Sequence, residues 1–158
     1  MADARFEEGA EQALTLKAET PDDLAILSAL VQDAVLPAGE IRHDPRGRTL
    51  SLLLNRFRWE DQTAAEATRR PYERVRALLV IADVTSLASL GFDRMDKEVI
   101  LSVLSLSWQP AVDCTGELTL TLAGDGAIAV RVECLNVTLK DVTRPYLAPS
   151  RQMPHHPD

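Results

Sequence analysis

A chain of 158 residues, 46% of them hydrophobic, is long enough for one self-sufficient core, because a domain of this size buries roughly 70% of the surface its unfolded form exposes. Its net charge of −7 argues against non-specific binding to nucleic acid or anionic membrane, since both rest on summed positive potential. Two cysteines, Cys114 and Cys134, form neither a CxxC pair nor a finger spacing, so neither a disulfide framework nor a zinc site is expected.

The charge is unevenly spread. Residues 1–39 hold 2 basic and 8 acidic groups, residues 40–76 hold 9 and 6, and residues 77–158 hold 6 and 10. The middle third is therefore basic within an acidic chain. The N-terminal MADARFEEGAEQ has no apolar h-region, and no segment approaches the roughly 20 apolar residues of a membrane span. A reduced, cytoplasmic protein with no membrane association is the expectation.

Residues 1–12 lack apolar periodicity and are expected to be a disordered leader. An ordered α+β domain is expected over residues 13–145, with a fraying tail at 146–158. Leu14 and Leu16 alternate with polar neighbours as a short strand. Thr20-Pro21-Asp22-Asp23 then offers a cap, a proline for the first helical position and acids for the positive helix end. Leu24, Leu27, Leu30, Val31, Ala34 and Val35 recur at three-and-four spacing, which predicts one amphipathic helix from Pro21 to Leu36, stopped by Pro37 and Gly39.

A hairpin follows, turning over Asp44-Pro45-Arg46-Gly47, with Asp, Pro and Gly where a type I turn wants them. Its second arm runs into TLSLLLNRFRWED, where a long apolar run meets interleaved aromatics and charge. Alternation puts Leu50, Leu52 and Leu54 on one face and Leu53, Phe57 and Trp59 on the other. Arg56 and Arg58 continue the first face and mark a rim where the strand leaves the core. The stretch 62–71 reads as a surface loop.

Tyr72 to Leu90 is strongly β-prone, with a bulge or bend expected at Asp83. Val99 to Trp108 forms another strand, whose apolar parity switches between Val103 and Leu104. Leu118, Leu120 and Leu122 lead through Gly124-Asp125-Gly126 to Ile128, Val130 and Val132 in a clean hairpin. A second parity switch follows Cys134, which is read as a small buried hydrophobe at that bend. The total is about eight strands and one early helix, an α+β fold with a mostly antiparallel sheet. Parity switches imply a curved sheet, half-barrel or barrel with the helix packed on it. A pleckstrin-homology-like barrel is the nearest analogue, although its helix comes last.

The words Gln32-Asp33-Ala34-Val35, Asn55-Arg56-Phe57-Arg58-Trp59-Glu60 and Val132-Glu133-Cys134, set in PDDLAILSALVQDAVL, LSLLLNRFRWE and LTLTLAGDGAIAVRVECLNVTLKDV, resemble the bacterial domain-of-unknown-function family 2948 over roughly residues 14–145. The resemblance implies a small soluble cytoplasmic domain and carries over no catalytic residues.

Several groups invite a functional reading. Asn55, Arg56 and Arg58 alternate with aromatic rings, as on a single-strand nucleic-acid platform. The acidic total favours instead a half-buried strand with rings inside and guanidinium groups in water. Arg74 and Arg76, with Arg42, Arg46, Arg48, Arg69 and Arg70, offer forks for an anion, with Asp22, Asp23 and Asp33 as rival ion-pair partners. His43 is the one histidine in the ordered body and lies beside Asp44, yet a hairpin flank is an ordinary place for an exposed histidine. No ligand spacing for a metal is present, and no catalytic residue or cofactor is assigned.

The leading expectation is a non-catalytic module that binds a protein partner or a second copy of itself. The alternative is a site for a small anionic ligand, or an enzymatic one, in the sheet's concavity, built from Arg56, Arg58 and His43.

Overall fold

The computed structural model describes residues 14–61, 73–142 and 146–147. The leader, the 62–71 loop and nearly all of the tail lie outside the described residues. Strand β1 (Thr15–Ala18) leads into helix α1 (Pro21–Val31), and then come β2 (Val35–Pro37) and β3 (Ile41–Asp44). The long strand β4 (Thr49–Phe57) precedes β5 (Glu73–Ile81), β6 (Val84–Leu90) and β7 (Ile100–Pro110). Strands β8 (Gly116–Leu122), β9 (Gly126–Val132), β10 (Val137–Asp141) and β11 (Tyr146–Leu147) complete the chain.

Every pairing is antiparallel. The sheet runs β1-β10-β5-β4-β2-β7-β8-β9-β6, with β3 added to β4 and β11 to β5. It ends on β1 and β6 and so is not closed into a barrel. The α+β class and the antiparallel sheet agree with the sequence. The strand count rises from about eight to eleven because the Tyr72–Leu90 run divides into β5 and β6, and because β2 and β11 span only three and two residues, too few to show a period.

Helix α1 begins as its sequence predicts. Thr20 accepts a hydrogen bond from the Asp23 N–H at 3.2 Å, and Pro21 opens the first turn. It stops at Val31, however, not at Leu36. Asp33 adopts φ +65°, and its N–H donates to the Val103 carbonyl at 2.8 Å. The left-handed residue redirects the chain so that Val35–Pro37 becomes β2, pairing with both β4 and β7. Ala34 stays buried and Val35 half-buried after the turn, so their helical spacing reflects burial and not helix. Leu24, Leu27, Leu30 and Val31 bury the helix face, against β7, β1 and β4.

Both expected bends are present, and each carries the chain from one half of the sheet to the other. Asp83 has φ +57° and separates β5 from β6. The register of β7 slips between Val103 and Ser105, leaving Leu104 39% exposed. At this slip the Leu106 N–H finds the Ser28 hydroxyl oxygen of α1 at 2.9 Å, so the helix satisfies a donor that the bulge frees. The second parity switch, after Cys134, is a break between two strands: β9 pairs with β6 and β8, whereas β10 pairs with β1 and β5.

The core lies inside this bent sheet. Leu50, Leu52 and Leu54 meet Ala77, Leu79 and Ile81 across the β4–β5 ladder and are all essentially fully buried. Leu118, Leu120 and Leu122 do the same with Ile128 and Val130 across β8–β9. Each such side chain contributes about 1.5–3 kcal/mol. The opposite face of β4 is only half covered, with Ser51, Leu53 and Asn55 partly exposed. Burial on both faces is reached only at Phe57.

Candidate functional site

Strand β4 positions the arginines that the sequence singles out, and it places them inside. Arg56 is wholly buried and Arg58 is 5% exposed, which corrects the expectation of guanidinium groups in water at a rim. Parity sets the position, since Arg56 follows Leu50, Leu52 and Leu54 on the inward face. Partners stabilise it. Its Nε donates to Asp141 Oδ1 at 3.1 Å and its Nη2 to Asp141 Oδ2 at 3.0 Å. Nη1 and Nη2 donate to the two Glu60 oxygens at 2.9 and 2.8 Å, and Nη1 also reaches the Phe57 carbonyl at 3.0 Å. All five donors of the fork are thereby used.

The cluster binds four parts of the chain. Glu60 lies in the 3-10 turn Trp59–Asp61, and Asp141 ends β10. Asp141 Oδ2 also accepts the Leu14 N–H at 2.9 Å, and the Asp141 N–H returns to the Leu14 carbonyl. Burial alone pulls the Arg56 guanidinium down, but the bonds and charges of Glu60 and Asp141 outweigh it and hold the group above its ordinary value. Burial likewise pushes Glu60 up, and the Arg56 fork more than reverses this, holding its carboxyl below the usual range. Next to this cluster Arg58 pairs with Glu73 at 2.7 Å, and the Trp59 indole N–H caps the Gln32 carbonyl beyond α1 at 2.8 Å.

The other candidates lie elsewhere. Arg74 stacks its guanidinium 4.2 Å from the centre of the Phe57 ring, opposite Phe57 in the β5 register. Asn55 and Arg76, also register partners, line a cleft of about 170 Å³ with Val35, Leu53 and Ile100. That cleft opens where β4 changes neighbours, because Leu52 pairs with β3 and Asn55 with β2, leaving Leu53 and Leu54 unpaired on that side. His43, half-buried on β3, faces Leu50 in register. It is six residues of β4 away from Arg56, about 20 Å. Arg56, Arg58 and His43 therefore do not converge.

Nor do the basic residues gather on one anion site. Arg42, Arg46 and Arg48 flank the β3–β4 turn, whereas Arg74 and Arg76 sit at the far end of β4, and Arg69 and Arg70 lie outside the described residues. Arg48 pairs with Glu133 at 2.8 Å and not with the acids of α1. Cys134 is exposed, which corrects the buried reading: the break after β9 turns it outward. Among the described residues no group of three or more His, Cys, Asp or Glu is placed to hold a metal, and no helix is long and apolar enough to cross a membrane.

Sequence reasoning missed Glu60 and Asp141 as partners of Arg56. The spacing of Arg56 and Glu60 was visible; nothing local points to Asp141, 85 residues on.

One further feature faces solvent. Among the described residues strand β6 pairs with β9 alone and forms one end of the sheet. Its sequence VTSLASL carries neither charge nor proline, and Thr85, Ser86, Ala88 and Leu90 are exposed. Edge strands are normally blunted by lysine, proline or a covering segment.

No curated protein and no solved structure matches the chain. Residues 14–156 match the family model described as Protein of unknown function (DUF2948), and the chain belongs to that family.

Proposed function

We propose that this chain is a non-catalytic, self-associating module in which β6 pairs with β6 of a second copy about a two-fold axis. The observation that carries this reading is the uncharged, single-partnered edge. Its sequence also suits an antiparallel match with itself centred on Leu87. Beyond the register shift between Val84 and Ser86, Ser86 then faces Ala88 and Leu87 meets its own copy. Apolar meets apolar and small meets small, as an isologous interface requires. The exposed Leu90, at 58%, gains cover at both ends of the seam.

The ligand-site alternative draws less support. Arg56 and Arg58 are engaged with carboxylates, and His43 lies far from both. A 170 Å³ cleft is below the roughly 300 Å³ at which small-molecule pockets begin.

The test is sedimentation velocity across a concentration series. The wild-type chain is expected as a dimer. The double variant Ser86→Lys/Ala88→Lys sets like charges opposite each other twice across the seam, and its dimer constant should weaken at least tenfold. Ser86→Glu/Ala88→Lys sets opposite charges there instead, and association should return in a salt-sensitive form. A wild-type monomer at every concentration, or indifference of the dimer to both variants, would overturn the assignment.

A further inference from the structure

The hairpin of β8 and β9 closes over Gly124 and Asp125, both with positive φ, and its ladder ends with Gly116 opposite Val132. Cys114 lies in the turn that joins β7 to β8 and Cys134 just past the end of β9, so the paired ends Gly116 and Val132 bring the two segments side by side. Both residues are exposed. Both thiols also line an open cleft of about 340 Å³ walled by Pro21, Trp108 and Pro110, so a small reagent can reach them.

We propose that Cys114 and Cys134 form a reversible dithiol–disulfide pair, a redox-modification site oxidised by thiol–disulfide exchange with a low-molecular-weight disulfide. In the first step one cysteine thiolate attacks a sulfur of the small disulfide. A protein–reagent S–S bond forms, the reagent's own S–S bond breaks, and one thiolate leaves and takes up a proton. In the second step the other cysteine, deprotonated, attacks the protein sulfur of that mixed disulfide and the second small thiol departs. Two protein thiols are oxidised and one small disulfide is reduced to two thiols. The Cys134 thiol is pushed up, first by its hydrogen bond with Cys114 and then by partial burial and the charges of Cys114, Asp83 and Glu133. A thiol that holds its proton to higher pH suits the resolving step rather than the first attack.

The probe is hydroxyethyl disulfide in excess over the full-length chain, followed by quenching with N-ethylmaleimide and intact-mass analysis. The wild-type chain should lose two hydrogens, take up no maleimide, and recover both labels after treatment with dithiothreitol. Cys114→Ser and Cys134→Ser should each stop at a single hydroxyethylthiol adduct. Two adducts on the wild-type chain, two maleimide labels after oxidation, or a doubled mass from an intermolecular bond would each overturn the pairing.

Discussion

Arg56 is a large, permanently charged group placed on the apolar face of a core strand, and its stability rests on two carboxylates. Removing a guanidinium while Asp141 remains 4% exposed leaves a buried charge unpaired, so Arg56→Ala should destabilise the fold by about 3–5 kcal/mol in urea unfolding. Arg56→Met combined with Asp141→Leu removes both charges and should regain most of that loss. A double variant no more stable than the single one would show that the hydrogen bonds, and not the charge balance, carry the site. Glu60 adds a pH dependence of definite sign. Its carboxyl is held below the ordinary range, so the stability it contributes is present above its unfolded value, about 4.3, and is lost as pH falls through the folded one. Its side chain is 30% exposed, so solvent screens the pair and the contribution stays below about 1 kcal/mol. Glu60→Gln should accordingly lower the urea midpoint at pH 7 and match the wild-type chain near pH 3. A gap that persists in acid would point to packing instead of charge.

At the scale of elements, conformation is decided at a few backbone positions. Helix α1 needs its cap, because the first-turn N–H groups lack helical partners, and Thr20→Ala should cost about 1 kcal/mol. Asp83 sits in left-handed geometry at the corner between β5 and β6, where aspartate is tolerated and a β-branched residue is strained. Asp83→Val should cost about 1–3 kcal/mol, whereas Asp83→Gly should be close to neutral, both read as thermal midpoints. Equal losses in the two variants would mean that the Asp83 side chain, and not its φ, holds the corner. Gly116 has a different constraint: an added Cβ would fall against the Trp108 ring and 2.7 Å from the Gln109 carbonyl oxygen. That contact places Trp108 over the end of β8, beside the cleft that the two cysteines line.

For the whole molecule, two strand breaks and the register slip within β7 convert what reads as a run of hairpins into two joined sheet halves around one core. The same arrangement leaves β1 and β6 as ends. Strand β1 presents Lys17, which pairs at 3.2 Å with Glu19 just beyond it, while β6 presents no charge. Pairing through β6 therefore predicts concentration-dependent stability: the unfolding midpoint should rise with protein concentration, because association binds the folded state alone. A midpoint constant across a hundredfold dilution series would count against a dimer in that range.

Local chemistry was legible in the sequence. The cap at Thr20, the turn at Asp44–Gly47, the alternation of Leu50, Leu52 and Leu54, the bends at Asp83 and Leu104, and the Gly124 hairpin are each encoded within a few residues. The hairpin even places Cys114 and Cys134 ten residues on either side of Gly124, a symmetry that measuring from the turn would have revealed. What only the tertiary structure decided depends on contacts distant in sequence. The helix could not be seen to stop at Val31, because Ala34 and Val35 keep the helical spacing of buried residues while β4 and β7 draw Val35 into a strand. Arg56 could not be placed inside the core from its neighbours alone, because Asp141, the partner that makes its burial tolerable, reaches it only when β10 crosses back beside β5. Alternation determines which face a side chain takes; the partners waiting on that face are set by the folded topology.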